Sequence, residues 1–158
     1  MGKWDPDEFP LEEFKRLFVF IFLQALRCPM TQINGFKIIN DYTGTNLKHL
    51  KVCTPQNLYL EYHIAYQCVP GRYKEVHFVN GSAMLALIWS MAKHVLSKKI
   101  KERVIIHSKP EDLLNYFPAD ILPAPVGGKL TDYHDANLMG KMNRDHGNYP
   151  IGGPPNYF

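Results

Sequence analysis

The chain has 158 residues, 46% hydrophobic and 13% aromatic, with a formal net charge of +3. That length supports one domain with a real core, the composition is not that of a disordered chain, and the small net charge gives no global sign of a nucleic-acid binder. Charge is unevenly placed, however: Asp5, Asp7, Glu8, Glu12 and Glu13 crowd the start against Lys3, whereas Lys93, Lys98, Lys99, Lys101, Arg103 and Lys109 outnumber Glu102 later on.

Phe14, Leu17, Phe18, Ile21, Phe22 and Ala25 recur at helical steps and predict a largely enclosed helix over residues 10–27, ended by Pro29. Its most apolar run, from Leu17 to Leu26, is shorter than the roughly 20 residues of a bilayer span and follows carboxylates rather than a signal peptide's positive charge. A cytosolic protein is expected. Cys28, Cys53 and Cys68 are odd in number, far apart and without C-x-x-C spacing, which fits small buried side chains in a reducing compartment.

Residues 36–41 follow an Asn34-Gly35 turn and read as a strand. Thr54 and Pro55 provide a cap and a first helical residue for a helix running to about Cys68, stopped by Pro70-Gly71. Residues 74–80 form a second strand with Val76 and Phe78 on one face. The helix predicted over residues 82–96 has almost no polar face. A third strand over residues 104–107 and a short helix over residues 110–116 follow. From Gly127 the chain is rich in Gly, Pro and Asn and reads as an extended tail. Strand and helix alternate, which implies a mainly parallel sheet in an α/β domain.

The side chains give no positive sign of catalysis. None of the seven histidines has H-x-x-x-H or H-E-x-x-H spacing, and Glu61 and His63 point to different sides of their helix. Ser82 lies between strand and helix, but Asn80 and Met84 stand where a nucleophile elbow needs glycine, so Ser82 reads as a helix cap. Gly127-Gly128 and Gly152-Gly153 lack the strand-to-helix setting of a phosphate loop. No metal or cofactor is expected. The helix over residues 82–96 must be buried on both sides or face lipid. A central core helix satisfies that requirement, and so does a movable apolar cover over a ligand, beside cations that seek anionic head groups.

The segment YKEVHFVNGSAMLALIWSMAKHVLSKKIKERVIIHS, then LLNYFPADILPAPVGGKL, with GKWDP and TQINGFKIINDYTG upstream, resembles a CRAL-TRIO lipid-binding domain of the tocopherol- and retinal-carrier branch over roughly residues 2–130. The resemblance implies a mainly parallel sheet floor, flanking helices and a mobile apolar gate helix, here residues 82–96. It implies ligand contacts from Phe18, Phe22, Phe36, Ile38, Asn40, Ile64, Ala65, Val76 and Phe78, with Met84, Leu87, Ile88 and Met91 covering from the gate. A phosphoinositide-binding cleft would fall on Arg72, Lys74, Lys99 and Arg103, the last two being four residues apart and on one face if the helix is continuous. On this mapping the chain begins after the family's first strand and lacks its N-terminal helical bundle, which predicts an exposed sheet edge. Thr43 and Thr45 beside Gly44, and Ser82 at the start of the gate, depart from the family pattern.

The resulting expectation is a lipid-binding domain over residues 1–130 and a tail over residues 131–158. It would be cytoplasmic and peripherally membrane-associated, would transfer a small hydrophobic ligand between anionic membranes, and would not be an enzyme. A lipid-sensing adaptor, its tail aromatics Tyr149, Tyr157 and Phe158 seated in a partner, is the alternative binding reading.

Overall fold

The computed structural model describes residues 3–131. The expected tail, with Tyr149, Tyr157 and Phe158, lies outside them from residue 132 onward. Helix α1 (Leu11–Ala25) follows Pro10 and carries Glu12 and Glu13 in its first turn, where carboxylates suit the positive end of the helix. Both are also paired, Glu12 to Lys15 at 2.9 Å and Glu13 to Arg16 at 2.7 Å. Lys48 reaches Asp5 at 3.1 Å and Asp7 at 2.7 Å. The acidic start is thus mostly held in local ion pairs and is not a free acidic surface.

Pro29 does not simply end α1. It is the first residue of α2 (Pro29–Asn34), a position where the missing amide hydrogen removes no helical bond. Strand β1 (Phe36–Asp41) starts directly after Gly35, whose φ is 74°. A Cβ at Gly35 would lie 2.2 Å from the Arg72 carbonyl oxygen. Glycine therefore lets Phe36 N–H donate to that oxygen at 2.7 Å and start the ladder with the next strand.

Helix α3 (Leu47–Val52) is short and was not expected from periodicity. Its cap explains it: Asn46 accepts from Lys48 N–H at 2.9 Å, and His49 Nδ1 accepts from Asn46 N–H at 3.2 Å. The other ring nitrogen of the buried His49 donates to Trp4 O at 2.8 Å. Helix α4 (Pro55–His63) is capped by Thr54, which accepts from Asn57 N–H at 3.2 Å. The predicted continuation to Cys68 is a π-helical turn, Ile64–Cys68. Beyond β2 (Tyr73–Val79), Ser82 caps α5 (Ala83–Val95) by accepting from Met84 N–H at 3.2 Å. Helix α6 (Lys98–Lys101) ends before Arg103, so Lys99 and Arg103 do not share a continuous helix; Arg103 leads into β3 (Val104–Ile106).

The architecture is α/β: the three strands are parallel, in the order β1-β2-β3, with helices flanking the sheet. Ile38 pairs with Val76 and Val76 with Val104, while Ile39 pairs with His77 and His77 with Ile105. Alternate rows therefore face opposite sides. At the ends of β1 and β2, Asn80 adopts a left-handed φ of 54° and donates its amide to Asp41 at 3.0 Å, tying the two strands together.

On one side Val79, Leu113, Leu122 and Val126 form a closed core with Ile39 and Phe117. Three 3-10 turns cover it: Pro110–Asn115, Ala119–Ile121 and Ala124–Val126. The extended tail predicted from Gly127 does not begin there, because residues 127–130 are bonded back onto this cover. Gly128 N–H donates to Pro123 O at 3.1 Å and Leu130 N–H to Leu122 O at 2.9 Å. A Cβ at Gly128 would sit 1.9 Å from Leu122 O, so glycine permits the close approach.

Beneath the same cover a polar chain runs from buried His107 and His77 out to the surface. His77, with no exposed surface, donates from Nε2 to Glu75 at 3.1 Å and accepts at Nδ1 from His107 at 2.9 Å, while Lys37 holds Glu75 at 2.6 Å. Tyr116 and Phe117 pack edge-on against the His77 ring. Burial lowers the affinity of His77 for a second proton, against the pull of Glu75.

Candidate functional site

The opposite side of the sheet is not filled. A cavity of about 230 Å³ lies between the sheet, α1, α4 and α5. Ile38, Asn40, Val76, Phe78 and Val104 form its floor, Phe14, Lys15 and Phe18 one wall, and Leu58, Glu61, Tyr62, Ile64, Ala65 and Tyr66 another. Leu85, Ile88, Trp89, Ala92, Val95 and Leu96 cover it. Tyr42, Tyr73 and Ile100 complete the lining. The lining is predominantly hydrophobic and aromatic with few polar groups, the usual composition of a small-molecule site.

Eight of the residues assigned to ligand contact by sequence come together around this space: Phe18, Ile38, Asn40, Ile64, Ala65, Val76, Phe78 and Ile88. Phe22 and Phe36 stand one layer behind. Phe22 packs on Phe18 with ring centroids 4.4 Å apart and on Phe36 at 4.8 Å, and both approach Tyr73, so they buttress the wall. Met84, Leu87 and Met91 do not line the cavity; Leu87 is 47% exposed. The covering face of α5 runs through Leu85, Ile88, Trp89, Ala92 and Val95, one helical position round from the stripe drawn from sequence. A helix apolar on every side offers no contrast by which to orient it.

Sequence reasoning missed several lining residues. Leu58, Glu61 and Tyr62 are among them; with the assigned Ala65 they have the i, i+3, i+4, i+7 spacing of one helix face, a signal present in the sequence. Tyr73 was hidden for a different reason. Phe36 pairs with Tyr73 but Lys37 pairs with Glu75, so the ladder slips by one residue between them. Strict alternation sets Tyr73 with Glu75 and His77, away from the cavity; the bulge turns it back to the side of Val76.

The polar groups of the lining stand out. Burial pushes the Glu61 carboxyl above its ordinary range, against the pull of Lys15. Burial also raises the Tyr42 and Tyr73 hydroxyls, and the Tyr73 hydroxyl is buried without a hydrogen-bond partner. Just outside the lining, burial raises the Cys53 thiol to about 11, with Glu61 adding to the effect. A thiol held that high is a poor nucleophile. Among the described residues no three His, Cys, Asp or Glu side chains gather as a metal site would require, and no helix is long and apolar enough to cross a membrane.

The four basic residues expected around a head-group cleft lie near one end of the cavity. The Arg103 guanidinium donates to Tyr73 O at 2.5 Å, and Val76 N–H donates to Arg103 O at 2.9 Å, so Arg103 sits beside the start of β2. Arg72 and Lys74 flank Tyr73 in sequence and are exposed, and Lys99 is exposed on α6, the helix leading to Arg103. Among the described residues none of the four is in an ion pair with a carboxylate.

Comparison with known proteins bears on this geometry. The family profile described as CRAL/TRIO domain matches residues 1–128. Clavesin-2 of Homo sapiens is 26% identical over 146 residues, covering 92% of this chain and 44% of that protein. Clavesin-1 of Rattus norvegicus is 27% identical over 133 residues, 84% of this chain and 38% of that protein. An alpha-tocopherol transfer protein-like protein of Mus musculus is 30% identical over 136 residues, 85% of this chain and 40% of that protein. The chain spans less than half the length of each of these relatives.

Proposed function

The chain belongs to the CRAL/TRIO domain family, and from that premise we propose that it encloses one small hydrophobic molecule beneath α5 and carries it between membranes without chemical turnover. The observation that carries this reading is the cavity itself: a mostly apolar space of about 230 Å³ between the parallel sheet and an apolar helix. Apolar surface removed from water there favours binding by roughly 25 cal/mol per Å². The relatives support the same role, one of them being named for its likeness to a tocopherol transfer protein.

Release requires α5 to move. Leu85 and Ile88 are its buried anchors, while Ala83, Ala86 and Leu87 face outward and are exposed. An apolar outer face beside Arg72, Lys74, Lys99 and Arg103 suits docking at an anionic bilayer, with the cations meeting phosphoinositide head groups and the outer face of α5 meeting acyl chains. The working compartment is then the cytosol, with reversible membrane association.

Transfer of a fluorescent apolar ligand between vesicles tests this reading. Transfer should be faster when acceptor vesicles contain a phosphoinositide. Reversing Lys74 and Lys99 to glutamate, each charge being worth about 1 kcal/mol near the surface, should weaken vesicle binding by about tenfold or more and slow transfer. Arg103 is left intact because it also holds the Tyr73 carbonyl. Reversal of Lys51 and Lys109 should have little effect. Equal losses from both pairs would reduce the head-group cleft to general surface charge, and a protein that binds no apolar ligand would overturn the carrier reading.

A further inference from the structure

The three strands are parallel, so their starting ends share one edge of the sheet. In the order β1-β2-β3 that edge carries α2 before Phe36, Arg72 and Lys74 on either side of Tyr73, and Lys99 and Arg103 before Val104. The end of α2 meets Arg72 directly. Phe36 N–H donates to Arg72 O at 2.7 Å, and a Cβ at Gly35 would lie 2.2 Å from that oxygen.

Helix α2 is apolar where it is most exposed. Met30 and Ile33, three residues apart and therefore neighbours on its surface, are 62% and 69% exposed, and Ile33 is the most exposed large hydrophobic side chain among the described residues. Gln32 folds back, donating from Nε2 to Leu26 O at 2.7 Å. The helix is held in place: Thr31 and Gln32 N–H both donate to Cys28 O, and Gly35 N–H donates to Thr31 O at 2.7 Å. A single exposed hydrophobic residue is ordinary, but an adjacent pair on a bonded turn beside a row of cations calls for a partner.

Charge decides what that partner is. No Asp or Glu occurs from Phe14 to Asn40 or from Tyr62 to Lys74. Glu75 and Glu102, next along the chain, are paired to Lys37 at 2.6 Å and to Lys98 at 3.9 Å. A second copy packed symmetrically on this edge would set cations against cations. Two side chains also present far less than the roughly 800 Å² per partner of a stable protein interface. An anionic bilayer attracts the cations and accepts the apolar pair below its head groups. We propose that α2 is a membrane-inserting element, with Met30 and Ile33 entering an anionic bilayer beside the head groups met by Arg72, Lys74, Lys99 and Arg103. This rests on the membrane half of the carrier reading and adds a contact that the outer face of α5 does not supply.

Co-sedimentation with vesicles of phosphatidylcholine and a phosphoinositide tests the proposal, with phosphatidylcholine alone as the reference. Replacing both residues, Met30→Gln with Ile33→Gln, should weaken binding to the anionic vesicles by about tenfold, or about 1.4 kcal/mol. The thermal melt and the affinity for an apolar fluorescent ligand should not change. The deficit should persist in high salt, which screens the cations and leaves the apolar contact. Ile33→Trp should bind more tightly, since tryptophan favours the membrane interface, and it decides the matter if the double variant misfolds. Ile121→Gln, at a side chain 61% exposed on the closed-face cover, should have no effect. Undiminished binding by the double variant, a deficit that vanishes in high salt, or an equal loss from Ile121→Gln overturns the assignment and leaves the head-group cleft standing. A dimer seen by light scattering and lost in the double variant would instead make α2 an interface between copies. An unmodified chain that ignores anionic vesicles would remove α2 and the membrane half of the carrier reading together.

Discussion

The two faces of one small sheet have been finished in opposite ways. On one, Val79, Leu113 and Leu122 are almost completely buried under the turns of residues 110–130. On the other, Ile38, Val76 and Phe78 look into empty space beneath α5. Both faces are built from the same alternating strands, so patterning does not distinguish them. The cover does. The turn segment closes on itself through backbone bonds from Gly128, Lys129 and Leu130, whereas α5 rests on its sheet through Leu85 and Ile88 and leaves a gap. The closed face is a packed core, and the open face keeps a cavity.

The largest expected effect sets the two faces against each other. Leu122→Ala should remove about 2–5 kcal/mol of stability, because it opens a cavity in a packed core. Leu58→Ala, in the half-buried wall of the existing cavity, should remove nearer 1 kcal/mol. Denaturant unfolding of the two variants measures the difference, and equal losses would break the contrast.

Acid should act first on the closed face. Burial holds the folded-state pKa of His77 below its ordinary value of 6.5. The unfolded chain therefore takes up this proton first, so the stability His77 contributes is present above about pH 6.5 and is lost as pH falls through the folded value. Glu75 is held low chiefly by Lys37, so its own contribution disappears further down, below its ordinary 4.5. Unfolding free energies at about pH 7.5 and 5.5 should show the decline, and His77→Gln should flatten it. An unchanged slope in that variant would remove His77 from the account.

The smallest effect belongs to Tyr73, whose buried hydroxyl has no partner. Tyr73→Phe should leave stability unchanged or raise it by about 1 kcal/mol, since an unmet polar group is removed without change of shape. A thermal melt that falls by several degrees would mean that this hydroxyl is bonded after all.

Much of this was legible in the sequence, and the exceptions have physical reasons. Alternation in β2 put Val76 and Phe78 on one face, where both line the cavity, and the extent of α5 followed from Ser82 and its apolar run. What alternation cannot reveal is a slipped ladder, and the bulge opposite Phe36 concealed Tyr73. What hydrophobicity cannot reveal is the facing of a helix apolar all round, so Leu85, Trp89 and Ala92 were passed over for Met84, Leu87 and Met91. Composition also misled at Gly127-Gly128, where glycine marks a close backbone approach and not the start of a tail.

The most direct test of the central claim, that the open face is a ligand site and not a loosely drawn core, is to fill it. Ala92 faces the cavity from the C-terminal half of α5. In a true cavity the ring of Ala92→Phe takes space that is already empty, so thermal stability should hold while affinity for an apolar fluorescent ligand falls by more than about tenfold, or 1.4 kcal/mol. In a packed core the same ring would be overpacked and would destabilise the fold by about 1–3 kcal/mol. A stable Ala92→Phe chain that no longer takes up ligand is the result predicted here; a destabilised chain, or a stable one that binds as before, would contradict it.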